Sequence, residues 1–387
     1  MNRIVPGILL LVVLLGLTGF TFAQQIGARI TGEPSWELLA IRDARATPET
    51  AEKARRLLAQ QPLDQAKLNL LFATEAKGEL VPERRKRFRN ALYSLGWRDT
   101  STQQNLIVEA GLDNDARAAI LHIDALLRRG KLTNQILPIL QQIELVPEAT
   151  ALLAERLEKI PLWRERYLTT AIRDPDSAAA RARLFNRMLD DGDKLSHTEL
   201  KPSLDAMIRE DLRKEAVDIA IRANPEKPDA GLIYDPDFSK FVASSARDRN
   251  SPLPFEWNTQ SRPGISAQIV PQEQSGQLRV RWNGNGAPVI ARTLVLMNVG
   301  QKARLEVTVD SADALSELHK FRFSLACSGQ PSVPLQLMEQ DANQNIARYS
   351  TDDSVSCDYP DLIMRGQPQN RSSVVVTSID AIRLFAT

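Results

Sequence analysis

Cysteine is nearly absent from this chain, since Cys327 and Cys357 are the only two among its 387 residues. A structural zinc site takes four ligands, mostly Cys and His at short spacing, and two cysteines so far apart fit no such pattern. Histidine is almost as scarce, with only three in the chain. The sequence therefore predicts no zinc centre.

Recognisable catalytic motifs are missing as well. The chain has no Gly-x-Ser-x-Gly elbow, His-Glu-x-x-His, P-loop, Cys-x-x-Cys or Gly-x-Gly-x-x-Gly. His122 lies in an apolar helical stretch, His197 follows a capping Ser196, and His319 precedes a strand, so each has a structural interpretation. A Ser/His/Asp triad assembles in space, and spacing leaves that alternative open. We expect a protein that is not an enzyme and that needs no catalytic cofactor.

Neither sign of charge dominates, because 49 basic residues face 48 acidic ones and the net charge is +1. A nucleic-acid-binding protein normally carries a basic stripe or patch, and no long basic run is present. The short run Arg84–Arg87 has acidic neighbours and is typical of a solvated helix face, with contact to anionic lipid or polysaccharide as the alternative. We therefore expect no nucleic-acid partner.

Charge is entirely missing from Ile4 to Phe22, which follow a single basic residue, Arg3. This segment, with the small-x-small site that ends at Ala23, matches a secretory signal peptide over residues 1–23. Its uncharged run of about 19 residues is also long enough to cross ~30 Å of hydrocarbon as an uncleaved anchor. The charge on Arg3 places the N-terminus in the cytoplasm. We expect a single-pass inner-membrane protein with its body in the periplasm. The alternative is a soluble periplasmic or secreted protein cleaved at Ala23.

After a linker at 24–34, residues 35–223 have the composition and spacing of helices. Apolar residues recur every three or four positions between regularly spaced Pro and Gly, for example in Ala116–Gly130. Serial helices with short connections predict antiparallel hairpins that bury one another's faces. Leu63–Gly78 resembles the first helix of a tetratricopeptide repeat, although the full repeat signature is absent. We predict a degenerate repeat array of this type.

The pattern changes after a Pro-, Asp- and Ser-rich linker at 224–254. In residues 255–387 the apolar period becomes two, as in Leu278–Trp282, and Asn283–Gly286 is a typical hairpin turn. About eight short strands predict an antiparallel β-sandwich of jelly-roll type. Because an exported domain lies in an oxidising compartment, we predict a disulfide between Cys327 and Cys357, with two buried thiols as the alternative.

The whole arrangement resembles a family of exported α-proteobacterial proteins, sphingomonad-like in character, which combine degenerate tetratricopeptide-like repeats with a C-terminal sandwich. The residues that carry the resemblance are Asp124–Arg128, Pro161–Arg164, Pro254–Trp257, Cys327 and Cys357. The resemblance covers nearly the whole chain, but no single motif in it is specific. It implies a compartment and an architecture and brings no known activity.

The C-terminal part also resembles carbohydrate-binding modules, through Leu294–Val307 and Ser378–Leu384. In some of these modules the residue equivalent to Asp380 helps to hold a structural calcium ion, so the resemblance makes Asp380 a calcium candidate. Such modules stack sugars on exposed aromatic rings, and Trp257 and Trp282 are the candidates for glycan contact here. Both indoles equally fit a place in the core.

These observations lead to two predicted functions. The first is a membrane-tethered envelope protein without catalytic activity, in which the helical array binds a protein partner and the sandwich is an accessory module. The second is glycan binding by the sandwich during exopolysaccharide or cell-envelope assembly. An exposed Trp257 or Trp282 favours the second function, and burial of both indoles counts against it.

Overall fold

The computed structural model describes residues 82–95, 98–223, 232–244, 252–273, 275–369 and 374–387, with scattered positions between 52 and 71. Helices and an antiparallel sheet of eleven strands make up these residues, which confirms the predicted combination of α and β structure. The chain divides into two compact units, Met1–Tyr167 and Leu168–Thr387. This division falls inside the stretch 35–223 that the sequence assigns to a single helical domain.

The first unit is helical throughout the part that the structure describes. Its helices are α1 (Pro82–Leu95), α2 (Thr100–Leu112), α3 (Ala116–Leu127), α4 (Thr133–Glu144), α5 (Pro147–Glu158) and the short α6 (Arg164–Leu168), whose last residue already belongs to the second unit. Local capping explains where two of them begin. The Asp99 carboxylate accepts a hydrogen bond from the backbone N–H of Thr102 at the start of α2, and Asp115 accepts one from Ala118 at the start of α3.

The helices of the first unit pack through apolar stripes. On α3 the stripe consists of buried Ala119, Ile120, Ile123, Leu126 and Leu127, as the spacing predicts. Helix α3 contacts α2, α4 and α5, and α4 contacts α5. Each fully buried Leu or Ile stabilises the unit by about 1.5–3 kcal/mol relative to an exposed position. Burial of these stripes is therefore the main source of the unit's stability.

The second unit begins with three more helices and contains three short helical elements later. These are α7 (Pro175–Asp190), α8 (His197–Arg209), α9 (Arg213–Ala223), α10 (Ser239–Ala243), α11 (Ala312–Glu317) and a 3₁₀ turn (Leu318–Lys320). Ser196 and Glu199 form a capping box at the start of α8, so the predicted cap beside His197 is confirmed. Arg213 of α9 donates to the Tyr359 carbonyl at 2.8 Å and pairs with Asp361 at 3.2 Å. This contact ties α9 to the sheet.

Eleven strands form one antiparallel sheet, which is three strands more than the sequence predicts. They are β1 (Asn258–Thr259), β2 (Ser261–Arg262), β3 (Ile265–Pro271), β4 (Gly276–Trp282), β5 (Val289–Leu294), β6 (Ala303–Val309), β7 (Phe321–Ala326), β8 (Val333–Asp341), β9 (Ile346–Ser350), β10 (Asp361–Gly366) and β11 (Val375–Ala386). Their order is β1-β5-β10-β7-β8-β9-β6-β11-β4-β3-β2. The additional strands include the two-residue segments β1 and β2, which are too short to give a periodic pattern.

The sheet consists of two halves, and the chain crosses from one half to the other at two places. Strand β8 pairs with β7 through 333–335 and then with β9 through 336–341. Strand β1 pairs with β5, whereas β2, which follows it after one residue, pairs with β3. The first half is therefore β1-β5-β10-β7, and the second is β9-β6-β11-β4-β3-β2. At each margin, a two-residue strand therefore covers only part of the edge of its neighbour.

Both halves contribute to one hydrophobic core. Its members include Trp282, Leu305, Phe323, Met364 and Ile382. The alternation predicted in β4 is confirmed, because Leu278, Val280 and Trp282 are buried while the arginines between them are exposed. The predicted disulfide is also confirmed: Cys327 after β7 is bonded to Cys357 before β10, with Cα atoms 5.9 Å apart. It joins two segments that lie close together at one end of the first half.

The predicted signal or anchor segment, with Ile4, Phe22 and Ala23, lies outside the described residues. In the part of the chain that is described, no helix has both the length and the apolar character that a membrane span requires.

Candidate functional site

The two tryptophans predicted to contact glycan are both in the core. Trp257 is 1% exposed and Trp282 is 0% exposed. The Trp257 indole N–H donates to the Asp235 carbonyl at 2.6 Å, and that of Trp282 donates to the Asn285 carbonyl at 3.1 Å. A buried indole with its N–H already bonded has no face left for a sugar. The prediction that Trp257 and Trp282 stack against glycan is therefore wrong.

Asp380 lies at a bulge in β11, where the register shifts between Ile379 and Ala381. The Gln277 amide donates to its carboxylate at 2.9 Å and reaches Asp310 at 3.5 Å. Because the Arg279 guanidinium donates to the other end of that amide at 2.7 Å, the Gln277 NH₂ group must face the two carboxylates.

These neighbours do not fit calcium, which needs six to eight oxygen ligands and meets an N–H donor here instead. Over the described ranges, no group of three or more His, Cys, Asp and Glu residues is placed to hold a metal. The calcium prediction for Asp380 therefore gains no support from its surroundings.

His122 is the centre of a polar chain in the first unit that runs from buried Gln103 to exposed Tyr93. Its Nδ1 lies 2.8 Å from Gln103 Oε1, and its Nε2 lies 2.8 Å from the Tyr93 hydroxyl. Nδ1 must donate to the Gln103 oxygen, so Nε2 accepts from Tyr93. Burial lowers the pKa of His122 to about 4 and raises the pKa of Tyr93. A general base for neutral pH needs a pKa near 7, so this geometry suits structure rather than catalysis.

An apolar cavity lies among α2, α3, α4 and α5 in the same unit, with a volume of about 130 Å³. It is lined by Ile107, Ala110, Gly111, Asn114, Asp115, Ala116, Ala119, Ile139, Ile143, Val146 and Ala149. Its wall is built mainly from small and branched apolar side chains, and the exposed residues Asn114, Asp115 and Val146 lie at its rim. A dry cavity of about 150 Å³ binds benzene, so this one can hold a single aliphatic side chain.

The chemistry of this cavity is limited to apolar contact. Asp115 is the only ionisable side chain that lines it, and its carboxylate already caps α3. No nucleophile or acid–base pair lines the cavity. It can therefore bind an apolar group but is not equipped to transform one.

A second, larger cleft lies beside β1, β2 and β3, with a volume of about 540 Å³. Its lining is Phe241, Pro252, Asn258, Thr259, Ser261, Ala267, Gln268 and Ile269, with no charged side chain among them. The side-chain amides of Asn258 and Gln268 form no hydrogen bond to any residue that the structure describes. Small-ligand sites typically occupy 300–1,000 Å³, so this cleft has room for a neutral polar ligand such as a short glycan.

Sequence reasoning missed both of these features. The lining of the cleft comes from the two-residue strand β1 and from Gln268, and neither stands out as a motif. The cavity had a faint signal, because Gly111 and several alanines interrupt the larger side chains of the helical stripes. Comparison of the chain with models of known protein families and with curated proteins finds no match.

Proposed function

We propose that this chain is a binding protein of the cell envelope without catalytic activity. Its first unit, called the helical unit below, captures an apolar side chain of a protein partner. The observation that carries this proposal is the apolar cavity among α2, α3, α4 and α5. The residues that contribute most to binding at protein interfaces lie in well-packed, desolvated pockets. Burial of a Leu-sized side chain there contributes about 1.5–3 kcal/mol.

The finer features of the fold belong to the same proposal. We infer a degenerate tetratricopeptide-like array in the helices and a jelly-roll sandwich in the sheet, in line with the family resemblance. The core shared by both halves of the sheet supports the sandwich. We further propose that residues 1–23 tether the body to the inner membrane from the periplasmic side, with cleavage at Ala23 as the alternative. The disulfide supports an oxidising compartment.

Filling the cavity tests the protein-binding proposal. Ala149→Leu adds bulk to a fully buried cavity position on α5, whereas Ala151→Leu makes the same change at an exposed position of the same helix. We expect a specific partner to co-purify from crosslinked membranes with the wild-type chain and with Ala151→Leu, and at least tenfold less with Ala149→Leu. Circular dichroism verifies that both variants are folded. Recovery of no specific partner, or equal recovery with both variants, would contradict the proposal.

Glycan binding is the second candidate, now at the uncharged cleft instead of at Trp257 and Trp282. The observation that favours it is the pair of side-chain amides, Asn258 and Gln268, which face a ligand-sized cleft. Replacement of both by Ala should weaken glycan binding at least tenfold in a titration. Asn343→Ala, at an exposed turn position, is the matched control and should leave binding unchanged. Equal affinities for the two variants would count against this site.

A further inference from the structure

Three arginines lie together on the outer surface of the first half of the sheet. They are Arg292 of β5, Arg322 of β7 and Arg365 of β10, all of them exposed. The adjacent residues Leu362, Met364 and Phe323 point into the core. We call Arg292, Arg322 and Arg365 the arginine patch.

No acidic side chain among the described residues lies within ion-pair distance of the arginine patch. None of its three guanidinium groups forms an ion pair or a hydrogen bond there. In the second half of the sheet some arginines are paired, since Glu306 holds both Arg304 and Arg348. In a chain whose net charge is only +1, the three arginines form a local excess of positive charge.

The arrangement of the arginine patch also destabilises the sheet. Arg322 and Arg365 are direct partners across β7 and β10, and like charges in that relation destabilise a sheet. The register of β10 against β5 shifts between Met364 and Arg365, which marks a bulge. Bulges often re-aim side chains next to functional sites. An anion bridging the two guanidinium groups would turn this repulsion into attraction.

The arginine patch continues into the uncharged cleft. Asn258, which lines the cleft, is the direct partner of Arg292 across β1 and β5. Directly paired residues place their Cβ atoms about 4.5–5.5 Å apart, on the same face of the sheet. The side-chain amides of the cleft, which can hydrogen-bond to sugar hydroxyl groups, therefore lie beside the guanidinium groups of the arginine patch. Guanidinium groups are suited to bidentate pairing with carboxylates.

We propose that the arginine patch binds the carboxylates of a linear acidic polysaccharide whose sugar rings occupy the adjoining cleft. This inference rests on the glycan-binding candidate and names its ligand class. Three arginines are fewer than the four to eight basic residues that recognise an anionic membrane. They are also too few for the extended phosphate contacts that nucleic acid requires. The neutral cleft beside them favours a sugar polymer.

Titration of the full-length protein with two forms of one polymer tests the proposal. The probes are polygalacturonate and its methyl ester, which share a backbone and differ in the free carboxylates. We expect the acid form to bind at least tenfold more tightly than the ester, and more weakly as salt rises. Arg322→Gln with Arg365→Gln should lose at least tenfold in affinity for the acid form. Arg383→Gln, at an exposed β11 arginine without an ion pair to any described residue, is the matched control and should stay within twofold of the wild type.

The possible outcomes separate this inference from the candidate on which it rests. Equal binding of both forms, unaffected by the arginine variants, overturns the inference and keeps glycan binding. If neither form of the polymer binds, the inference and the glycan-binding candidate are both contradicted for this polymer class. An equal loss in Arg383→Gln shows unspecific charge attraction and overturns the inference. Equally tight binding of duplex DNA or of vesicles containing phosphatidylserine also overturns the inference. Thermal melting verifies that each variant is folded.

Discussion

The core of the helical unit and the core around the eleven-stranded sheet are built from different side chains. The helical core buries a neutral histidine and several carboxylates, among them His122, Glu109 and Asp124. The sheet core is dominated by aromatic and aliphatic groups such as Trp282 and Phe323, and a disulfide lies at its margin. The helical unit should therefore respond to protonation, and the sheet to loss of packing or of the crosslink.

The buried polar groups of the helical unit form specific connections between helices. Asp124 on α3 accepts from the Trp163 indole at 2.8 Å and pairs with Arg156 of α5 at 3.3 Å. Glu109 on α2 pairs with Arg85 of α1 at 2.6 Å, although burial still raises the pKa of Glu109. Such pairs fix which helix faces meet, while apolar burial supplies most of the stability.

Removal of the disulfide should give the largest effect. Replacing Cys327 and Cys357 with Ala removes a crosslink that spans 30 residues. Because the unfolded chain then gains conformational entropy, the second unit should be destabilised by about 3–4 kcal/mol. Hydrogen exchange should show lost protection in β7 and β10 and unchanged protection in α2 and α3. Equal loss in both units would break the proposed contrast between them.

Acid should act on the helical unit instead. The pKa of His122 is about 4 in the folded chain and 6.5 without burial, so the unfolded chain takes up its proton at higher pH. The full stability is therefore present above pH 6.5 and falls as pH drops toward 4, by about 3 kcal/mol. Urea unfolding of the helical unit at pH 7 and pH 4.5 measures this loss, and His122→Gln should reduce it. An equal pH dependence in that variant would assign the loss to another group.

Gly366→Ala should destabilise the sheet by about 1–3 kcal/mol through overpacking. A Cβ at this position would come within 2.8 Å of the six-membered ring of Trp282, which is fully buried. Because the Phe ring is smaller than the indole and does not reach as far, Trp282→Phe should relieve part of the overlap, and a double-mutant cycle in urea measures the coupling. Additive effects of the two substitutions would show that the ring is not the obstacle.

The smallest predicted effect has the opposite sign. Arg365→Gln removes the repulsion from Arg322 across β7 and β10 and should stabilise the sheet by about 0.2–1 kcal/mol. Thermal melting at low salt measures the gain, which should shrink as salt rises. A loss of stability in low salt would mean that Arg365 has a stabilising partner.

Much of the fold was predictable from period and composition. The stripe on α3, the alternation in β4 and the cap at Ser196 follow from local chemistry. The pairing of the two cysteines follows from the predicted oxidising compartment. Alternation also predicts that every second residue of a strand is buried. It does not say which of two faces meets the core, and this is why Trp282 remained ambiguous.

The candidate sites were less predictable because they depend on register and on short segments. Arg322 and Arg365 are 43 positions apart in the sequence and become neighbours only through the pairing of β7 with β10. Asn258 meets Arg292 through a two-residue strand. The surroundings of Asp380 were hard to predict for the same reason, since the bulge at Asp380 is invisible in the pattern of β11.

Site-specific photo-crosslinking at Val146 tests the central claim most directly. This exposed residue lies at the rim of the apolar cavity, within reach of anything that enters it. The account predicts one dominant protein adduct in membranes, retained with Ala151→Leu and lost when Ala149→Leu fills the cavity. An adduct that persists equally with Ala149→Leu, or no protein adduct at all, would contradict it.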